Sequence, residues 1–363
     1  MGDQDYIVDF PSCKLRCALE LGTWTPQSLD TAIRQRRADH STPTQRLAAW
    51  ARDFLGVPFQ YETLLPPLPG NTLRVRLASF DCITLIYHLV ALCDAESLDD
   101  FVRRLYRIRY LPPHNGALSN HPESGTLFDF GCESLLINCV ERNILEDVTT
   151  HVAEGAAVSQ IQMVLSPVTR PAEHDLTQTK VYPRYPGRSI DTAVIPSGAV
   201  SRLDPARLRS GDIVIFTRGS HTSAGAPQPC LVSHSGVLIK QGPVVGFIHA
   251  TKNYYVRDVD AAEEPIRSRH LPGHPEKLLP GVAFAGEYLG DSCTIVHEGI
   301  TYYGYRFDRA RTLASYAENI FFGIKIFRPR SSNLQDAALD KSNQVRVAAR
   351  AHLGVNLFGI SSR

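Results

Sequence analysis

No segment of the 363-residue chain sustains the run of about 18 apolar residues that a membrane-spanning helix requires, so no membrane span is expected. An excess of charge is missing too. Lys and Arg number 38 against 37 Asp and Glu, and so even a balance supplies no overall field to hold nucleic acid or an anionic surface. A nucleic-acid partner is therefore not expected. The eight cysteines, Cys13, Cys17, Cys82, Cys93, Cys132, Cys139, Cys230 and Cys293, include no CxxC pair and none at zinc-finger spacing from a histidine, which argues against a metal site. Internal repeats and low-complexity runs are lacking, which removes solenoids and tandem arrays. The start, Met1 to Tyr6, has neither a basic nor an apolar segment, and we expect no Sec-type signal. Free thiols are then expected, at least seven of them small buried residues.

What remains is the composition of an ordinary soluble globular protein, 43% hydrophobic and 21% charged. The length exceeds that at which a single core stops growing, which allows one large domain with appendages or two modest ones. Apolar positions between Ser28 and Phe54 indicate two helices broken at Ser41-Thr42-Pro43. Serial prolines make residues 65–70 an extended loop. A helix apolar almost all round, hence buried, is expected from Asp81 to Leu92, and others over Leu98 to Tyr106 and Glu133 to Asn143. Residues 111–125 read as a loop, and Asp147 to Val152 as a strand. After Val194 the pattern turns to short β-rich runs at 213–217, 235–239, 244–249 and 323–327, separated by Gly, Pro and Ser. Helices first and antiparallel strands afterwards predict an α+β fold, not a doubly wound one.

The segment most informative about chemistry is Phe80-Asp81-Cys82-Ile83-Thr84. A cysteine in the first turn of a buried helix meets free backbone N–H groups and the positive end of the macrodipole. These lower a thiol pKa, and the same N–H groups can serve as an oxyanion hole. Asp81 is a suitable N-cap. A thiol nucleophile needs a base, and Val232-Ser233-His234-Ser235-Gly236 puts a histidine at the start of a strand. His249 ends the next apolar run. Folding the two runs into a hairpin centred on Gly242 sets His234 opposite about position 250, so that His249 lies close enough to orient it. The bland reading of each residue is a small buried cysteine or a half-buried strand histidine. The matched spacing favours Cys82, His234 and His249 as a catalytic set.

These residues resemble the DUF1460 group of N-acetylmuramoyl-L-alanine amidase-like proteins, a branch of the NlpC/P60 cysteine peptidase superfamily. The matching segments are Phe54-Leu55-Gly56-Val57-Pro58-Phe59, Phe80-Asp81-Cys82-Ile83-Thr84, Ile108-Arg109-Tyr110, Gly211-Asp212-Ile213-Val214, Ser233-His234-Ser235-Gly236-Val237, His249-Ala250-Thr251 and Gly323-Ile324-Lys325-Ile326. The resemblance implies a papain-like NlpC/P60-type domain at 41–330, an N-terminal extension at 1–40 and a C-terminal tail at 331–363. It further implies a cysteine peptidase or amidase, a hydrolase that cuts an amide in peptidoglycan or muropeptide fragments. Cys82, His234 and His249 match the nucleophile, base and third polar residue, and Asp81 matches a substrate-recognising residue. Gly211-Asp212 reads as a structural turn. Where the family usually has Pro-Tyr this chain has Pro58-Phe59, leaving Tyr61 to supply a hydroxyl to the substrate. Arg109 is a candidate for binding a substrate carboxylate.

The expected reaction is acyl transfer through a thioester, with no metal or organic cofactor. Two alternatives remain open on sequence grounds: an acyltransferase or transglutaminase-like thiol enzyme, and an inactive module that binds cell-wall fragments. Localisation is expected to be cytoplasmic, or by export through a dedicated secretion system as an effector, in which case an immunity protein or secretion component would be a partner.

Overall fold

The computed structural model describes residues 4–10, 13–60, 72–109, 139–140, 142–165, 188–218, 231–254, 257–258, 279–285, 293–297, 300–304 and 312–331. The chain divides into two compact units, Met1–Arg330 and Ser331–Arg363. Every described residue except Ser331 belongs to the first.

The helices α1 (Pro26–Asp39) and α2 (Pro43–Asp53) begin in the same way. Thr25 and Thr42 cap them by accepting from the N–H groups of Ser28 and Gln45, and a proline follows each cap. Proline has no N–H to lose at the first helical position, so it favours a start there and prevents α1 from continuing into α2. Helices α3 (Cys82–Leu92) and α4 (Leu98–Arg109) complete this layer. The first three agree with the sequence expectation to within two residues, and α4 runs three residues further.

A hairpin of β1 (Gln4–Phe10) and β2 (Cys13–Glu20) precedes the helices, and β3 (Thr72–Arg76) adds to β2 in parallel. Sequence patterning showed neither β1 nor β2. Residues 1–40, expected to form an extension, put Val8, Leu15, Cys17, Leu29 and Ile33 into the same buried core as Leu47, Trp50, Leu85 and Phe101.

The main sheet is antiparallel throughout. Its eight strands are β4 (Leu145–Asp147), β5 (Ser159–Leu165), β6 (Arg188–Pro196), β7 (Ile213–Arg218), β8 (Leu231–Gln241), β9 (Val244–Tyr254), β11 (Leu279–Ala285) and β14 (Gly323–Pro329). They run in the order β11-β9-β8-β7-β14-β6-β5, with β4 also on β14. Three short strands, β10 (Arg257–Asp258), β12 (Cys293–His297) and β13 (Ile300–Gly304), pair separately. Helices gathered beside an antiparallel sheet make this an α+β protein, as expected.

Both faces of the main sheet are covered. Ile213, Ile215, Val237, Ile239 and Ile248 face the core shared with α2 and α3. Val214, Phe216, Leu238, Phe247 and Ile326 face a second core closed by α5 (Thr149–Val152) and α6 (Leu313–Ile320). Burial on two sides explains why β7 reads as a continuous apolar run rather than an alternating one.

The strand expected over Asp147 to Val152 is not formed as such. Strand pairing stops at Asp147, whose carboxylate accepts from the Thr149 N–H and turns the chain into α5. Thr149 then accepts from the Ile326 N–H, so the turn is tied to β14. Of the helix expected at 133–143 the structure describes residues 139–140, which are helical, and 142–143, which form a turn, and the loop expected at 111–125 lies outside the described residues. Among the described residues no helix is long and apolar enough to cross a membrane, and no group of three or more His, Cys, Asp or Glu side chains is placed to hold a metal.

Gly211 and Asp212 fix the layers to each other. Asp212, fully buried, receives a two-pronged pair from Arg328 at 2.8 Å to each oxygen and the Arg209 N–H at 2.9 Å. Gly211 sits at φ 93°, and a Cβ on it would lie 1.9 Å from the Thr44 carbonyl oxygen at the start of α2. The left-handed backbone and the close approach each require glycine. We expect Gly211→Ala to lower unfolding stability by roughly 2–5 kcal/mol, from backbone strain plus displacement of α2. Chemical denaturation would measure it, and a loss under about 0.5 kcal/mol would contradict the packing described.

Candidate active site

Helix α3 opens with a reciprocal cap. Asp81 accepts from the Ile83 and Thr84 N–H groups at 3.1 and 2.8 Å, and Thr84 returns the contact by accepting from the Asp81 N–H at 2.9 Å. This saturates the first turn and fixes the direction in which Cys82 leaves the backbone. The lead-in is fixed as well. Phe80 bridges to Phe59, its N–H donates to the Pro58 carbonyl, and its carbonyl accepts from the Gln60 N–H. Its ring is fully buried, 5.0 Å from Phe54 and 5.5 Å from His88.

Cys82 itself meets β8. The fully buried Ser235 hydroxyl donates to the Cys82 carbonyl at 2.8 Å. Among the cysteines whose side chains are described, Cys17, Cys93 and Cys139 are buried and Cys82 keeps part of its surface open. Its sulfur is nevertheless largely desolvated. Burial first, and then the Asp81 carboxylate, push the thiol up to about 12, against hydrogen bonds from the Ser235 side chain and backbone that pull it down. The lowered pKa expected from a helix N-terminus is therefore not found. The dipole favours the thiolate, but the cap that forms the helix is itself an anion adjacent to the sulfur, and desolvation acts in the same direction as that charge.

The histidines come together directly. His234 Nε2 lies 2.5 Å from His249 Nδ1, with ring planes at 76°. Register explains this. The pairs Gln241↔Val244 to Val237↔Ile248 place the turn at Gly242-Pro243, one residue off the centring assumed from sequence. The next pair in that register is Gly236 with His249, and a Cβ on Gly236 would indeed lie 3.4 Å from the His249 Cβ. His249 thus shares a sheet face with His234, as its diagonal neighbour. The pair is walled by aromatics: Phe216 stacks on His234 at 5.8 Å, Phe247 lies 4.7 Å from His249, and Tyr316 of α6 sits 6.0 and 5.6 Å from the two rings.

Of the sequence candidates, then, the structure joins His234 to His249, and Asp81 to the helix start that carries Cys82. The residue of β8 that bonds Cys82 is Ser235, the chain neighbour of His234, through the Cys82 carbonyl. Phe59 lies half-buried against the helix-side core. Tyr61 and the side chain of Arg109 lie outside the described residues. Two residues were missed. Ser235 stands beside a singled-out histidine, and strand alternation alone would have turned it toward α3. Tyr316 lies in a helix whose only local signal is the Thr312/Ser315 cap.

A family model described as AmiA-like, N-acetylmuramoyl-L-alanine amidase-like, matches residues 49–263. No curated protein matches the chain. Among solved structures, an N-acetylmuramoyl-L-alanine amidase from Bacteroides uniformis ATCC 8492 is similar at a TM-score of 0.48 and 15% identity, over 79% of this chain and 99% of that one. Protein LPG0564 from Legionella pneumophila str. Philadelphia 1, of the DUF1460 family, is similar at 0.49 and 13%, over 84% and 95%.

The charge beside the sulfur gives a direct test. Asparagine caps a helix as well as aspartate does, so Asp81→Asn keeps α3 and removes the anion. Losing a nearby negative charge favours thiolate, so the thiol pKa must fall. We expect the midpoint of Cys82 alkylation by iodoacetamide, followed by mass spectrometry of its peptide, to move down by about one pH unit. An unchanged or raised midpoint would show that Asp81 does not hold the proton on sulfur.

Proposed function

Because the chain belongs to the N-acetylmuramoyl-L-alanine amidase-like family, matched over residues 49–263, we propose that it hydrolyses an amide bond in peptidoglycan or muropeptide fragments with Cys82 as nucleophile. The papain-like NlpC/P60 arrangement is part of this proposal. The observation that carries it is the His234–His249 contact at 2.5 Å on a strand whose next residue is hydrogen-bonded to Cys82.

The chemistry follows from which ring nitrogen carries the proton. A hydrogen bond between two imidazole nitrogens needs one donor. With Nε2–H of His234 donating to Nδ1 of His249, the His234 Nδ1 carries the lone pair and is the nitrogen suited to take the thiol proton. His249 then acts by fixing the tautomer and ring direction. A thiol whose pKa is about 12 is neutral at pH 7, so deprotonation accompanies attack rather than preceding it. The sulfur adds to the amide carbonyl as His234 accepts the proton. The backbone N–H groups at the start of α3 are donors for the developing oxyanion. His234 next gives the proton to the departing amine, leaving a thioester, and water deprotonated by His234 releases the acid and regenerates the thiol.

That raised thiol also favours a second reading, in which the fold binds cell-wall fragments without turnover. Phe59, in place of a hydroxyl-bearing residue, points the same way. Incubation with defined muropeptides separates the two. We expect peptide release by the native protein, a loss of roughly 10³-fold or more in Cys82→Ala and in His234→Ala, and a smaller loss of about 10–100-fold in His249→Ala. Release that survives Cys82→Ala would remove the thiol mechanism. Binding with no release by the native protein would establish the second reading.

A further inference from the structure

We propose that Ser235 is a positioning residue for the nucleophile: its hydroxyl pins the Cys82 carbonyl in the resting protein and turns to the sulfur when the thiolate forms. This deepens the thiol amidase mechanism and rests on Cys82 being the nucleophile.

The geometry has three parts. Ser235 is fully buried, and its hydroxyl lies 2.8 Å from the carbonyl of a residue 153 positions away, the first residue of α3. A buried hydroxyl must satisfy its donor, and here it does so on the backbone of the nucleophile itself. The Ser235 side chain and backbone also act on the Cys82 sulfur, in the direction that favours its anion. One hydroxyl thus sits on the backbone of the residue whose sulfur it also favours as an anion, and on the proposed mechanism its hydrogen turns from carbonyl to sulfur. A carbonyl is an ordinary acceptor and a thiolate a charged one, for which such bonds are about twice as strong. The preference therefore reverses as the sulfur loses its proton.

The flanking residues hold Ser235 in place. Gly236 packs so closely on β9 that a Cβ would meet the Phe247 ring at 2.8 Å and the Ile248 carbonyl oxygen at 2.9 Å. His234 is fixed by His249 and Phe216 on the other side of the strand. The elements packed on α3 are α2, α4, β8 and β9; the charged group that acts on the Cys82 sulfur is Asp81 of the α3 cap, while β8 and β9 carry His234 and His249 among Phe216, Phe247 and Tyr316. The Arg46, Asp94 and Arg104 cluster is at its opposite end, where Arg46 bonds the Cys93 carbonyl.

The test is the pH profile of Cys82 alkylation by iodoacetamide in the full chain, which needs no turnover. In Ser235→Ala we expect the thiolate to form less readily. The alkylation rate below the midpoint should fall roughly 10–100-fold, the loss of one hydrogen bond to a charged group. The midpoint should rise, and muropeptide kcat should fall more than KM rises. Ser235→Thr, which keeps the hydroxyl, should restore the alkylation profile. Thermal melting shows whether each variant is folded. A folded Ser235→Ala protein with the native alkylation profile overturns the proposal, and so does a folded Ser235→Thr protein that behaves as the alanine variant does. Failure of the thiol mechanism itself looks different: amide release persists in Cys82→Ala whatever the alkylation shows.

Discussion

The pairing register of β8 with β9 is the constraint on which the site depends. A two-residue turn, with Gly242 at φ 58°, sets Gln241 opposite Val244 and carries the pairing to Val237 and Ile248. Side chains alternate along a strand, so a slip of one residue would send His249 to the face opposite His234 and separate the imidazoles by the thickness of the sheet. Several independent contacts resist that slip. Leu238 and Phe247 must both reach the second core, and Val237 and Ile248 the first. Gly236 must pass the Phe247 ring and the Ile248 carbonyl, where there is no room for a side chain. The histidine contact is thus a consequence of how the two apolar cores are filled.

The same alternation makes β8 two-sided. Ser235 projects toward α3 and engages Cys82, while His234 projects among Phe216, His249 and Tyr316. One strand therefore touches both the helix start that carries Cys82 and the aromatic cluster that holds the histidine pair. The turn at Gly211-Asp212 does the same for the scaffold, because Asp212 joins β14 through Arg328 and Gly211 abuts α2. Rigid elements on both sides are what a site with small positional tolerance needs.

Much of this was legible from sequence where local chemistry decides the outcome. Thr25-Pro26 and Thr42-Pro43 announce their helices through the cap and the missing N–H, and Asp81 announces α3. The apolar runs that became β7, β8, β9 and β14 needed no knowledge of their partners. Elements set by distant contacts were not visible. The β1–β2 hairpin is stabilised by burial against α4 and by the Tyr6 hydroxyl donating to Asp99 at 2.6 Å, 93 residues away. The end of β4 at Asp147 follows from Thr149 bonding a strand 177 residues later. The histidine pair was found for nearly the right reason, but the pairing register was off by one residue, since sequence does not show which two residues form the turn. Ser235 and Tyr316 have only indirect signals, strand alternation beside His234 and the Thr312/Ser315 cap, and matter through what the fold brings beside them.

The electrostatics of Cys82 was the largest departure, and its cause is general. A helix N-terminus lowers the pKa of a cysteine when the sulfur is solvated and the cap is neutral. Here the cap is a carboxylate and the sulfur is desolvated, and those two effects outweigh the dipole. A neutral resting thiol is also a protected one, because oxidants and alkylating agents act on the thiolate. On the proposed thiol mechanism the cost is that the anion has to form within the encounter with substrate. On the proposed mechanism two groups serve that step, the His234 imidazole that His249 contacts and the Ser235 hydroxyl that lies on the Cys82 backbone. The carboxylate that builds the helix start also holds the proton on the sulfur beside it.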